Sequence, residues 1–284
     1  MLVKEKVEET MIDIGLVGCG TIGSLLAHTL DRGTIDNVRL CAVYDLYVEK
    51  AEKLARELRS KPRVARSLEG MLSDPDVKLI LEASSQAALR EIAVDVLKSG
   101  KDLMPMSVGA FVDSKLLAEV YDALTKKGSR LWIPSGAICG LDGVKAAVVA
   151  QVDSVTLTTT KPPAGFAGAL GVEEKKIDLR QIRSPTELFK GPAREACRLF
   201  PANVNVAAAL SLAGIGPDRT MVRIIADPGV NRNIHEVEVR GEFGVLRTHV
   251  ENVPSPDNPK TSYLAILSAV ATLRKLAGQA QIGT

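Results

Sequence analysis

The sequence predicts an α/β protein: a Rossmann-type, doubly wound parallel sheet joined to a second, α+β domain with a largely antiparallel or mixed sheet. Three observations predict it. The first half alternates short apolar runs with amphipathic segments of helical length, as βαβ units do. A glycine-rich turn, Gly18-Cys19-Gly20-Thr21-Ile22-Gly23, lies between the first apolar run and the first amphipathic segment. After about Ser135, strand-like runs follow one another with little helix between them. The expected division is a dinucleotide-binding domain over residues 1–135 and an α+β substrate, catalytic and dimerisation domain over 136–260. A helix within 261–284 is expected to return to the first domain.

Each element has its own reason. Ile12–Val17 is a continuous apolar run, read as a buried strand, and Thr21–Asp31 is a helix opened by the glycine turn. Val38–Tyr44 is the second strand. Residues 48–59 form a helix whose apolar positions Ala51, Leu54, Ala55 and Leu58 share a face. The turn Asp74-Pro75-Asp76 introduces a strand over 77–83. Then come a helix (Gln86–Lys98), a strand (102–106), a helix (114–126) and a strand (130–134). In the second half, 152–160 alternates apolar residues with Ser and Thr, as a half-buried strand does. Residues 161–191, rich in proline and glycine, read as a loop. An alanine-rich helix spans 202–213. Strands at Thr220–Ala226, 234–242 and 245–253 favour antiparallel pairing by their succession. Residues 254–262 interrupt the pattern, and 262–277 is the last helix.

Composition narrows the function. The chain has 284 residues, 46% hydrophobic and 25% charged, which suits two folded domains. Lys and Arg number 36 against 34 Asp and Glu, a net charge of +2, so neither nucleic acid nor an anionic membrane is an expected partner. No apolar stretch is long enough for a membrane span, and MLVKEKVEET lacks the apolar core of a signal peptide. The expected location is the cytoplasm. Cysteines 19, 41, 139 and 197 and the three histidines have no metal-ligand spacing, so no metal is expected.

The glycine turn carries the clearest chemistry. Gly18 permits the tight turn, Gly20 lets backbone approach a pyrophosphate, and Gly23 lets helix and strand pack closely. The N–H groups of Thr21 and Ile22, at the helix N-terminus, face the phosphates. Asp45 ends the second strand, where a carboxylate accepts hydrogen bonds from a ribose diol and repels a 2′-phosphate. The cofactor reading is therefore NAD, with NADP left open through Arg32 or Lys50. Ala83 and Ser84 end the strand over 77–83 and line the crevice at the carboxyl edge of such a sheet; Ser84-Ser85 also reads as a plain helix cap.

His235 shares strand parity with Val237 and Val239, so it starts on the covered face, where burial can tune its pKa for proton transfer. A satisfied core histidine is the alternative. His249 shares parity with Arg247 and Glu251, a solvated row, and His28 reads as structural. Lys260, Thr261 and Ser262 look like a helix start able to hold a carboxylate, or simply a cap; Arg232 is a second carboxylate candidate. Cys139 offers a rival chemistry, a thiol nucleophile with His235 as its base.

Several stretches together resemble the L-aspartate dehydrogenase family, from Ile14 to about Leu273. They are Met106-Ser107-Val108-Gly109-Ala110, Ser135 through Gly143, Phe200-Pro201-Ala202-Asn203-Val204-Asn205-Val206-Ala207, Asp227-Pro228, Asn233-Ile234-His235-Glu236 and Asn258-Pro259-Lys260-Thr261-Ser262. The resemblance implies oxidation of L-aspartate with NAD or NADP to iminoaspartate, then oxaloacetate and ammonia, or the reverse amination, feeding NAD biosynthesis. It implies His235 as the catalytic residue and Asn205 as a cofactor contact near the nicotinamide. It also implies a cofactor contact at Cys139, where the family more often has alanine. A homodimer is the natural assembly. The competing readings are another two-domain dehydrogenase, of homoserine or semialdehyde type with Cys139 as nucleophile, and a non-catalytic NAD-binding regulator.

Overall fold

The structure, a computed structural model, describes residues 11–201, 205–255, 258–280 and 282–283; the side chains of 255 and 258–261 lie outside the description. The chain starts β1 (Ile12–Val17), α1 (Thr21–Asp31), β2 (Val38–Tyr44), α2 (Val48–Glu57), β3 (Arg63–Val64), α3 (Leu68–Leu72), β4 (Leu79–Glu82), α4 (Gln86–Lys98), β5 (Asp102–Pro105) and α5 (Ser114–Lys127). The five strands pair in parallel in the order β3-β2-β1-β4-β5. Strand order reverses between β1 and β4, and the carboxyl ends of those two strands flank the crevice where such sheets bind ligands. The strand expected over 130–134 is reduced to one parallel bridge, Leu131 to Leu103. Pro134, without an N–H, cannot extend the ladder.

The second half runs α6 (Leu141–Ala147), β6 (Val152–Lys161), α7 (Leu170–Glu174), β7 (Thr186–Pro192), α8 (Ala193–Leu199), α9 (Asn205–Ala213), β8 (Thr220–Ala226), β9 (Asn233–Gly241) and β10 (Gly244–Asn252). Its sheet has the order β10-β9-β6-β8-β7. β6 and β8 are parallel and the other pairs antiparallel, so the sheet is mixed. The long connection from β6 through α7, β7, α8 and α9 is the crossover a parallel pair needs. The region read as loop over 161–191 therefore contains α7 and β7. Its prolines and glycines punctuate short elements held by an aromatic cluster: Phe200 packs against Phe166 at 6.2 Å and Phe189 at 5.9 Å between ring centroids. Of the helix expected over 202–213, residues 202–204 lie outside the described set and the rest is α9.

Next come β11 (Pro254–Ser255), β12 (Asn258–Ser262) and α10 (Tyr263–Ala277). The helix start expected at 260–262 is thus the end of a small antiparallel ribbon. α10 returns to the first sheet. Its Ile266, Ala269, Val270 and Leu273 share one buried cluster with Leu26, Ala27 and Leu30 of α1 and with Ile14 and Leu16 of β1.

Candidate active site

β1 runs into a turn that only glycine can make. Gly18 has φ +95°, and a Cβ there would lie 2.7 Å from the backbone of Ala83. A Cβ on Gly23 would run into the Gly18 carbonyl oxygen, so α1 sits tight on the turn. Gly20 is different: a Cβ there would meet no protein atom within 4 Å. Gly20 is the N-cap of α1, which has no side-chain cap and no acidic residue in its first turn. A concave backbone bend, open at its one glycine without neighbours and aimed along a helix N-terminus, fits a phosphate group. Asp45 braces the bend, accepting the N–H of Cys19 at 2.8 Å and of Tyr47 at 2.9 Å. Burial, then the Asp45 charge, pushes the Cys19 thiol up to about 12, so it stays protonated.

The facing wall is organised by Glu82, fully buried at the end of β4. It accepts the backbone N–H and hydroxyl of Ser84, both at 2.7 Å, and the hydroxyl and N–H of Ser107, at 2.9 and 3.1 Å. Burial raises its pKa, and these four bonds oppose the rise. One carboxyl group therefore fixes both loops leaving β4 and β5. Next to it the Gly109 N–H donates to Asn205 Oδ1 at 3.0 Å, and the Gln86 side chain donates to the Pro201 carbonyl at 3.0 Å. These contacts lock α9 of the second half onto the crevice.

Between the two halves lies a cleft of about 110 Å³. Ile22 from the first turn of α1, Met106 and Val108 after β5, Gly136 and Ala137 from the connection, and Asn205 and Val206 from α9 line it, together with Lys161, His235, Ser262 and Ala265. His235 is 2% exposed. β6 and β9 place Thr159 directly opposite His235, and Thr159 Oγ1 lies 3.0 Å from His235 Nδ1. The ring is thereby oriented through one nitrogen, leaving Nε2 for the cleft. The sequence reading expected a pKa near working pH. Burial, reinforced by the positive charge of Lys161, holds it down to about 3, so the imidazole is neutral at any ordinary pH.

The comparisons with known proteins agree with this arrangement. Residues 18–134 match the family described as homoserine dehydrogenase, NAD binding domain, and residues 142–276 match aspartate dehydrogenase, C-terminal. The L-aspartate dehydrogenase of Methanosarcina barkeri is 48% identical over 274 residues, 96% of this chain and 100% of that protein. The chain belongs to the L-aspartate dehydrogenase family. The L-aspartate dehydrogenase of Nitrosopumilus maritimus is 43% identical over 95% of this chain and 99% of its own. A solved aspartate dehydrogenase from Thermotoga maritima superposes with a TM-score of 0.74 at 26% identity, over 96% of this chain and 99% of that one. The scyllo-inositol dehydrogenase of Lactobacillus casei, TM-score 0.58 at 16% identity and covering 96% of this chain and 91% of that one, shares the fold.

Within this family member, the structure gathers Gly18, Gly20, Thr21, Ile22, Gly23, Asp45, Ala83 and Ser84 at one crevice. The Ser84 hydroxyl is spent on Glu82. Asn205 and His235 face the adjoining cleft. Two candidates stay outside it. Cys139 is exposed and is not among the cleft-lining residues, so the thiol and His235 do not form a catalytic pair there. Arg232 is also exposed; it lies in the bend just before β9 and pairs with Glu251 at 3.5 Å. The side chains of Lys260 and Thr261 lie outside the described residues. Ser262 is buried at the cleft, but its hydroxyl accepts from Asn233 Nδ2 at 3.2 Å rather than capping α10. Sequence reasoning missed Thr159, Lys161 and Glu82. Parity held the signal for the first two: Val155, Leu157, Thr159 and Lys161 form one inward row of β6. Glu82 is a lone charge in an apolar run.

Proposed function

We propose that this protein is an NAD-dependent L-aspartate dehydrogenase. It oxidises L-aspartate to iminoaspartate, which hydrolyses to oxaloacetate and ammonia, and it also runs the reverse amination. The observation that carries the reading is the neutral, oriented imidazole of His235 in the cleft that Ile22 of the dinucleotide turn also lines. A nicotinamide dinucleotide bound at the turn supplies the hydride acceptor. The turn and α1 would hold its pyrophosphate, Asp45 its ribose, and Asn205 its nicotinamide end. The chain's own work is proton transfer and confinement. Hydride can leave Cα only when the amino nitrogen carries a lone pair, so one ammonium proton must first go to a base. His235 Nε2 is that base; after it has given this proton up to solvent, it can accept another from the water that attacks the iminium carbon. A carboxylate entering the cleft raises the affinity of His235 for a proton, since its charge opposes the repulsion from Lys161 and stabilises the imidazolium. Apolar Ile22, Met106, Val108, Val206 and Ala265 limit water around the reacting atoms.

A spectrophotometric assay at about 340 nm tests the reading, with a panel of amino acids and NAD, and with oxaloacetate, ammonia and reduced cofactor. Absence of turnover in both directions overturns it. The preference for NAD over NADP rests on Asp45. The cytoplasm is the proposed location, where free cysteines stay reduced, and supply of iminoaspartate to NAD biosynthesis is the proposed role. The proposed domain division follows the connection near residue 135. A homodimer is supported by the outer row of the second sheet, where Met221, Ile225 and Ile234 are half-buried yet belong to neither core cluster.

A further inference from the structure

A substrate with two carboxylates needs cationic partners when it leaves water. His235 is neutral, and Arg232 is exposed, pairs with Glu251 and does not line the cleft. Among the described cleft-lining residues, Lys161 is the one remaining side chain able to carry a positive charge. We propose that Lys161 is the specificity-determining residue of this cleft, pairing its ammonium with a carboxylate of the dicarboxylic substrate while His235 serves the amine. The inference rests on the L-aspartate reading given above.

Geometry supports it. Lys161 is the last residue of β6, on the inward row two positions beyond Thr159, which orients His235. Two residues of strand advance about 7 Å, so the cation and the base line one wall with room for a short diacid between them. The stem of Lys161 lies along the turn Pro163–Phe166: a Cβ on Gly165 would sit 3.5 Å from Lys161 Cβ and 3.7 Å from Cδ. The residue is 4% exposed. Burial draws its pKa down to about 8, which leaves most of the charge in place at neutral pH. The same charge depresses the proton affinity of His235, so an anion that neutralises Lys161 also releases the base.

The test uses the full chain with bound NADH and two variants, K161M and K161Q, either of which decides the matter if the other does not fold. NADH affinity, read by fluorescence, is expected within twofold of wild type, which certifies the fold. Succinate titrated into each NADH complex is expected to bind at least 30-fold more weakly than to wild type, while succinamide, the uncharged analogue, changes less than threefold. The KM for L-aspartate is expected to rise at least 30-fold with a smaller loss in kcat. Succinate affinity and KM within threefold of wild type in a folded variant overturn the proposal. A wild-type enzyme that leaves aspartate untouched overturns the functional reading instead, and the succinate comparison then decides Lys161 alone.

Discussion

At the scale of single residues, the site is a pair of buried groups with opposite needs. In the proposed reaction His235 has to be neutral to accept a proton, and burial beside Lys161 keeps it so. His235→Ala is expected to lower kcat by roughly 10²- to 10⁴-fold, the range of a lost general base, with NADH affinity unchanged by fluorescence titration. Thr159→Val keeps the volume of the side chain and deletes the 3.0 Å contact to Nδ1. It should lower kcat about tenfold with little change in KM, since a buried ring nitrogen left unsatisfied costs about 1–3 kcal/mol in orientation and tautomer control. A steady-state comparison of kcat and KM checks both variants. The inward aim of His235 was legible from period-two parity in 234–240. The contact with Thr159 was not, because parity within one strand does not state which strand pairs with it, or in what register.

Elements set where those residues meet. The turn between β1 and α1 was readable almost atom by atom, since glycine alone tolerates φ +95° at Gly18 and the close approach at Gly23. Asp45 belongs to the same unit: it braces the turn from the end of β2 while standing where the cofactor ribose is expected. Asp45→Ser removes a negative charge that repels a 2′-phosphate. The ratio of kcat/KM for NADP to that for NAD should rise at least tenfold; a ratio unchanged within twofold would show that the carboxylate serves the turn alone. Elements shorter than two helical turns or three strand residues escaped sequence reading. α3, α7 and β3 are too brief for any periodicity to emerge. β12 looked like a helix start because Thr and Ser cap helices as readily as they end a ribbon. β6 was cut one residue short, at Thr160, since lysine ahead of two prolines looks like a loop; that residue is the one the cleft needs.

Across the whole molecule, buried titratable groups shape the response to pH, among them His235, Lys161 and Glu82. His235 is depressed below its unfolded value of 6.5, so the stability it leaves intact above pH 6.5 is lost as pH falls toward 3, by up to roughly 5 kcal/mol for a shift that large. Lys161 is depressed as well, and its loss is already incurred between pH 10.5 and 8. Glu82 is raised; its contribution is fully present below about 4.5 and declines as pH climbs through its folded value. Denaturation midpoints between pH 7 and 4 should therefore fall steeply in wild type and more shallowly in His235→Gln, which has no proton to take up. Parallel curves for the two proteins would contradict the burial of that ring. The overall plan, a parallel sheet followed by a mixed one, was legible from the change of texture near Ser135. The parallel pairing of β6 with β8 was not, because its crossover hides in the segment of prolines and glycines.

The return of α10 to α1 has a consequence for how the protein is made. Leu26, Ala27 and Leu30 are synthesised some 240 residues before the helix that covers them. A ribosome therefore exposes an unfinished dinucleotide lobe through much of elongation, with an apolar flank awaiting a helix made some 240 residues later. Chaperones that scan nascent chains would find their target on this first lobe, and a chain interrupted before residue 263 would leave it open to proteases.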